Sequence, residues 1–77
     1  MAYKLLGDVV VNPANDNMGN ATLVYVLAKG DTILVVITEQ GPRSIAIAAN
    51  SSIEIVKKAA ETIDGPNTEC TAIAYHW

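Results

Sequence analysis

Two apolar segments near the middle of the chain constrain its fold more than any other feature. Residues 22–27 read Thr-Leu-Val-Tyr-Val-Leu, and residues 32–38 read Thr-Ile-Leu-Val-Val-Ile-Thr. Both segments are rich in β-branched and aromatic residues, which suit a pleated sheet, and both are short for a helix. The sequence therefore predicts two β-strands here.

The first of these strands is apolar on both faces, unlike an antiparallel strand with one face in water. Side chains alternate along a strand, so one face carries two valines and the other three larger residues: Val24 and Val26 on one side, Leu23, Tyr25 and Leu27 on the other. Two alternatives stay open for the second face. It is covered within the chain, as in a two-sheet sandwich, or it meets another subunit or a larger assembly.

Turn-forming residues separate the strands of this region and predict a meander of hairpins. Gly30 can adopt the positive φ of a tight turn, which predicts a hairpin between the first two strands. The Gly-Pro pair at 41–42 predicts a second turn, after which residues 43–49 alternate between apolar and small or polar side chains. A further turn at 50–51 leads to residues 52–57, which alternate again and predict another hairpin that shares a strand with the first.

The flanking segments predict shorter pieces. Residues 3–11 are expected to form two extended pieces with a bend between them, and residues 12–20 a polar loop. Residues 58–64 are expected to form an irregular arm, although one helical turn is the alternative. A turn at 65–67 then leads to a final strand over residues 71–77, which alternates strictly.

Together these segments predict an all-β fold, a small antiparallel β-sandwich or partly open barrel of about six to seven short strands. Residues 1–77 are expected to form a single β domain. The conformational entropy of ordering 77 residues is large for a core of this size. The only cysteine, Cys70, has no partner for a disulfide and is expected to be a small buried or half-buried residue, with a reactive thiol as the alternative. Assembly with another chain is then the expected source of extra stability.

Charge and hydropathy exclude several classes of partner. The net charge is −3, and the five basic residues are scattered along the chain, so direct binding of nucleic acid is not expected. The longest apolar run, residues 33–37, is far too short to span a membrane, and no signal segment precedes it. The chain is expected to be soluble and unprocessed. The basic pair Lys57 and Lys58 is interpreted as a solvated strand end.

The inventory of reactive groups is thin, and the sequence predicts no enzyme. The single histidine, His76, stands one residue from the end of the sequence, and neither it nor Cys70 belongs to a nucleophile motif. The carboxylates are spread singly through turns and strand ends. Asp16 and Asn17 superficially resemble the start of a calcium loop, but the later acidic ligand is missing. No cofactor, metal or catalytic residue is therefore predicted.

The order of segments resembles that of a known family. The resemblance covers about residues 21–75 and rests on three stretches: Ser-Ile-Ala-Ile-Ala-Ala-Asn-Ser-Ser-Ile-Glu-Ile-Val-Lys-Lys-Ala at 44–59, Glu-Thr-Ile-Asp at 61–64 and Thr-Ala-Ile-Ala-Tyr at 71–75. In this order the chain resembles small virion structural proteins of tailed bacteriophages, especially marine and cyanobacterial ones. The resemblance implies a non-enzymatic β-sandwich or barrel in a symmetric shell or at a neck or tail joint.

The leading hypothesis is accordingly a capsid decoration or cement subunit that binds the major capsid protein or another virion protein. It would be soluble in the host cytoplasm before assembly, then a homo-oligomer or lattice-bound subunit, with no contact to nucleic acid or membrane. The alternatives are a small fibre, neck or tail component, or a carbohydrate-binding module in which Tyr25 or Trp77 stacks on a sugar. The predicted partner interface comprises Tyr3, Leu5, Tyr25, Tyr75, His76 and Trp77.

Overall fold

The computed structural model describes residues 2–76 and confirms the all-β class, with eight strands and no helix in that range. The strands are β1 (Ala2–Leu5), β2 (Val10–Val11), β3 (Leu23–Ala28), β4 (Thr32–Thr38), β5 (Gly41–Ile47), β6 (Ser52–Val56), β7 (Thr62–Asp64) and β8 (Thr68–His76). The sequence pattern predicted the positions of seven of them. The strand it left out is β7, which lies inside the predicted irregular arm. Nothing in the described range could cross a membrane as a helix.

The strands form two antiparallel sheets. The larger sheet has the order β1-β8-β3-β6, and β2 pairs with β8 on the same edge as β1. The smaller sheet has the order β5-β4-β7. Four connections, β3 to β4, β5 to β6, β6 to β7 and β7 to β8, carry the chain from one sheet to the other. The result is the predicted small sandwich.

Two of the predicted hairpins are wrong. The strand β3 pairs with β6 and β8, not with β4, and β5 does not pair with β6. Only the hairpin between β4 and β5 forms, with a two-residue turn closed by the pair Thr38 and Gly41 and a φ of 103° at Gly41. The turns after β3 and β5 are corners between sheets, and Asn50 in the second corner has a φ of 63°. Turn residues allow the chain to reverse, but they do not specify which strand it pairs with next.

The core lies between the two sheets. Side chains of β3 and β8 point inward from the larger sheet, and side chains of β4, β5 and β7 point inward from the smaller one. The members from these strands are Val24, Val26, Ala28, Leu34, Ile47, Ile63, Cys70 and Ala72. Burial is complete for Val24 and Val26. The smaller sheet therefore covers one of the two apolar faces of β3.

Residues 12–20 form the predicted loop, and the fold ties that loop to the smaller sheet. The amide of Asp16 donates to the carbonyl of Ile63 at 3.1 Å, and the amide of Ile63 donates back at 2.9 Å. Met18 is buried in the core, which anchors the loop from its other side. The loop therefore covers the outer edge of β7, and this pairing explains why so short a segment is a strand.

The interpretation of Lys57 as a solvated residue is wrong. Its exposed fraction is 5%, and its Nζ donates to three backbone carbonyls: Asn17 at 2.9 Å, Lys58 at 3.2 Å and Ala59 at 3.3 Å. The ammonium joins the loop to the turn after β6. A buried cation is stable only when such acceptors surround it, and the sequence around Lys57 gives no sign of a carbonyl 40 residues away.

Candidate functional site

The larger sheet has an apolar outward face, which is the second face of β3. One cross-strand row on it consists of Leu5, Ile73, Leu23 and Val56, taken from β1, β8, β3 and β6. The two inner members of the row, Ile73 and Leu23, are buried, whereas Leu5 is 72% exposed and Val56 80% exposed. The row is therefore packed at its centre and open to solvent at both ends.

Further apolar side chains extend this face in both directions along the strands. Tyr25 and Leu27 are half-buried on β3. Tyr3 and Tyr75 are paired across β1 and β8, with ring centroids 5.5 Å apart and planes tilted by 39°. Val11 of β2 lies opposite Glu69 of β8 and is exposed. We call the following set the outer face: Tyr3, Leu5, Val11, Leu23, Tyr25, Leu27, Val56, Ile73 and Tyr75.

Four of the six predicted interface residues lie on the outer face, namely Tyr3, Leu5, Tyr25 and Tyr75. His76 pairs through its backbone with Ala2 at the end of β8. Its side chain lies outside the described part of the structure, as does Trp77. The prediction omitted the other five outer-face residues: Val11, Leu23, Leu27, Val56 and Ile73. The alternation of β3 was the signal for Leu27, because it grouped Leu27 with Tyr25, and the alternation of β6 was the signal for Val56, because it placed Val56 on the side opposite Ile53 and Ile55.

The charged side chains that the strands of the larger sheet present on the outer face are all acidic. Within the described strands, only two charged side chains point outward from the larger sheet, Glu54 on β6 and Glu69 on β8. Glu54 lies opposite Tyr25, and Glu69 lies opposite Leu27. The one ion pair found among residues 2–76 is elsewhere, between Lys58 and Glu39 at 3.2 Å. The outer face is thus apolar with two acidic groups.

The smaller sheet also has an outward apolar stripe, but a narrower one. Ile33, Val35 and Ile37 follow each other along β4, and Ile33 and Ile37 are exposed. Their neighbours on the flanking strands are small or polar: Pro42, Ser44 and Ala46 on β5, Thr62 and Asp64 on β7. The stripe is one strand wide, whereas the apolar residues of the outer face come from all five strands of the larger sheet.

A cleft of about 410 Å³ opens at the edge of the core, between the bend after β1 and the loop. Core residues Met18 and Ala72 line it together with Asp8 and Asp16. The carboxylate of Asp16 already accepts a hydrogen bond from the amide of Met18 at 2.7 Å. The lining within the described residues includes no His, Cys, Lys or Arg. Asp16 therefore serves the local turn.

The thiol of Cys70 is fully buried, as the sequence predicted. Burial raises the pKa of this thiol, although a contact with the hydroxyl of Thr68 at 3.6 Å acts in the opposite direction. A buried thiol with a raised pKa is a poor nucleophile, because the thiolate is the reactive form. Cys70 is therefore a core residue.

The described residues contain no group of three or more His, Cys, Asp or Glu side chains that could hold a metal ion.

No protein-family model matches the chain, and no curated protein and no solved structure matches it. The outer face, with its apolar area and its two carboxylates, is therefore the feature on which a functional argument rests.

Proposed function

We propose that this chain is a non-enzymatic structural protein that binds another protein through the outer face. The observation that supports the proposal is an apolar surface drawn from five strands, with Leu5 and Val56 at its two ends, that the smaller sheet does not cover. Single exposed apolar residues are ordinary, but several exposed apolar side chains on one sheet face are typical of an interface. Docking would bury this patch and stabilise the bound state.

More specifically, we propose a capsid decoration or cement subunit of a tailed bacteriophage that binds the major capsid protein. The resemblance over residues 21–75 supports this assignment, and so does the need of a small core for an additional source of stability. A neck, tail or fibre component is the alternative within the same class. In each case the protein would act by adding buried apolar area between subunits rather than by chemistry.

The test is incorporation into virions purified from cells that carry the gene. Leu5→Thr with Val56→Thr replaces two exposed side chains at the ends of the central row. Burying an aliphatic side chain contributes about 1.5–3 kcal/mol, so this pair is expected to weaken docking about a hundredfold or more. The folded chain is expected to lose little stability because both side chains are exposed.

The matched control is Ile33→Thr with Ile37→Thr on the smaller sheet, which also removes two exposed aliphatic side chains. Mass spectrometry of virions should find the wild-type chain and the control variant, and not the outer-face variant. Equal incorporation of both variants, or a wild-type chain absent from virions, would refute the proposal. Light scattering over a range of concentrations would show whether copies of the chain cover the same face themselves.

A further inference from the structure

We infer that the partner surface that docks on the outer face is basic as well as apolar, with Lys or Arg side chains opposite Glu54 and Glu69. This inference rests on the proposed function, since it specifies the chemistry of the partner at the same surface. The two carboxylates are separate groups on different strands, and they flank the half-buried side chains of Tyr25 and Leu27.

The register of the sheet fixes the spacing of the two carboxylates. Glu54 and Glu69 lie two strands apart and two residues apart along the strand direction. With strands about 4.8 Å apart and a rise of about 3.4 Å per residue, the two backbone positions are separated by roughly 12 Å. Docking would therefore remove both carboxylates from water at two distinct points of the interface.

Neither carboxylate forms an ion pair with a cation of this chain within residues 2–76. Lys4 alternates with Tyr3 and Leu5 and so points to the opposite side of β1. Lys57 is buried against backbone carbonyls, and Lys58 pairs with Glu39. Arg43 lies on β5 of the smaller sheet, and Lys29 is exposed just beyond the end of β3, where it forms no ion pair. A carboxylate that is buried without a partner is strongly destabilising, so the docked protein must supply the positive charge.

The same charges disfavour other occupants of the outer face. A second copy docked face to face would bring four carboxylates into one interface, and the strands of the larger sheet present no outward cation to pair with them. Anionic lipid and nucleic acid would be repelled for the same reason. A protein surface with basic side chains among apolar ones satisfies both properties of the outer face, and charge complementarity would also speed its association.

The test uses two fluorescein-labelled peptides as probes, one alternating Leu and Lys and the other alternating Leu and Glu. Fluorescence anisotropy gives the Kd of each peptide for the full chain. The variant Glu54→Gln with Glu69→Gln removes both charges of the outer face. The control Asp8→Asn with Glu39→Gln removes two exposed charges elsewhere and changes the net charge equally. Each charge pair at a solvent-accessible site changes the Kd by a factor of roughly two to five.

The expected result is binding of the Leu-Lys peptide that weakens about fivefold in the Glu54/Glu69 variant and less than twofold in the control. The Leu-Glu peptide should bind the wild-type chain more weakly than the Leu-Lys peptide binds any of these chains. The inference is overturned if the Leu-Lys peptide does not bind, if both variants weaken binding equally, or if the Leu-Glu peptide binds as tightly. If the Leu-Lys peptide loses binding to Leu5→Thr/Val56→Thr but binds the Glu54→Gln/Glu69→Gln variant as tightly as the wild type, the charge requirement alone is overturned. No effect of Leu5→Thr/Val56→Thr speaks against docking at the outer face itself.

Discussion

Replacing Lys57 by Met is the most informative single change for the fold. Met keeps most of the length and the apolar character of the Lys stem but has no ammonium. It would leave the carbonyls of Asn17, Lys58 and Ala59 without their common donor. The variant therefore tests whether one buried cation holds the loop 12–20 against the end of β6.

The magnitude follows from the three hydrogen bonds. Loss of a partner from a buried polar group costs about 1–3 kcal/mol, and relief from desolvating the ammonium offsets part of the sum. We expect a net loss of about 2–4 kcal/mol from a free energy of unfolding of roughly 4–11 kcal/mol for a chain of this length. The corresponding fall in Tm is about 10–25 °C.

The measurement is thermal and urea unfolding followed by circular dichroism, with Lys58→Met as the matched control. Lys58 is the adjacent lysine, and its side chain is 67% exposed in the ion pair with Glu39. An exposed pair of this kind contributes about 0–1 kcal/mol, so the control should stay close to the wild type. Hydrogen exchange should also become faster at the amides of Asp16 and Ile63 in the Lys57→Met variant, because the loop loses its clamp.

The pH dependence gives a second check with a fixed sign. Burial lowers the pKa of Lys57 from its ordinary value of 10.5, although the nearby carboxylates of Glu61 and Asp16 act in the opposite direction. Between the lowered pKa and 10.5 the unfolded chain binds more protons than the folded chain. The stability that this titration contributes is complete above 10.5 and is lost as the pH falls through the lowered pKa. The difference in free energy of unfolding between wild type and Lys57→Met should therefore widen as the pH rises toward 10.5.

Equal free energies of unfolding for the Lys57→Met and Lys58→Met variants would refute the role assigned to the buried ammonium of Lys57.

Two further predictions concern the core. Gly65→Ala should destabilise the protein by about 1–3 kcal/mol, because a Cβ there would lie 2.6 Å from Thr68 Oγ1 and 2.8 Å from Leu34 Cδ1. In the same unfolding assay Gly7→Ala is the control and should be close to neutral, because no atom lies within 4 Å of a Cβ at that position. Cys70 should react with a thiol reagent at pH 8 only in denaturant, because its side chain is buried and its pKa raised; rapid labelling of the native chain would contradict its place in the core.

The sequence by itself determined the local features of this protein. Alternation and β-branched content fixed the positions of β3, β4, β5, β6 and β8, the burial of Cys70 and the two-sided apolar character of β3. These properties follow from the residues of each segment, since period-two alternation and turn chemistry act over a few positions. Four of the nine outer-face residues were also recognised in this way, from aromatic and aliphatic side chains near the ends of the chain and on β3.

Only the tertiary structure decided which strands pair, which face of β3 is covered and what surrounds Lys57. A hydrogen-bond ladder can form with any strand of suitable length, so β3 finds its partners in β6 and β8, far along the chain, rather than in the adjacent β4. The strand β7 exists because Asp16 and β4 pair with it from both sides. The ammonium of Lys57 is buried because a carbonyl 40 residues away completes its shell of acceptors. Each of these outcomes depends on contacts between distant segments, and no local pattern of residues encodes such contacts.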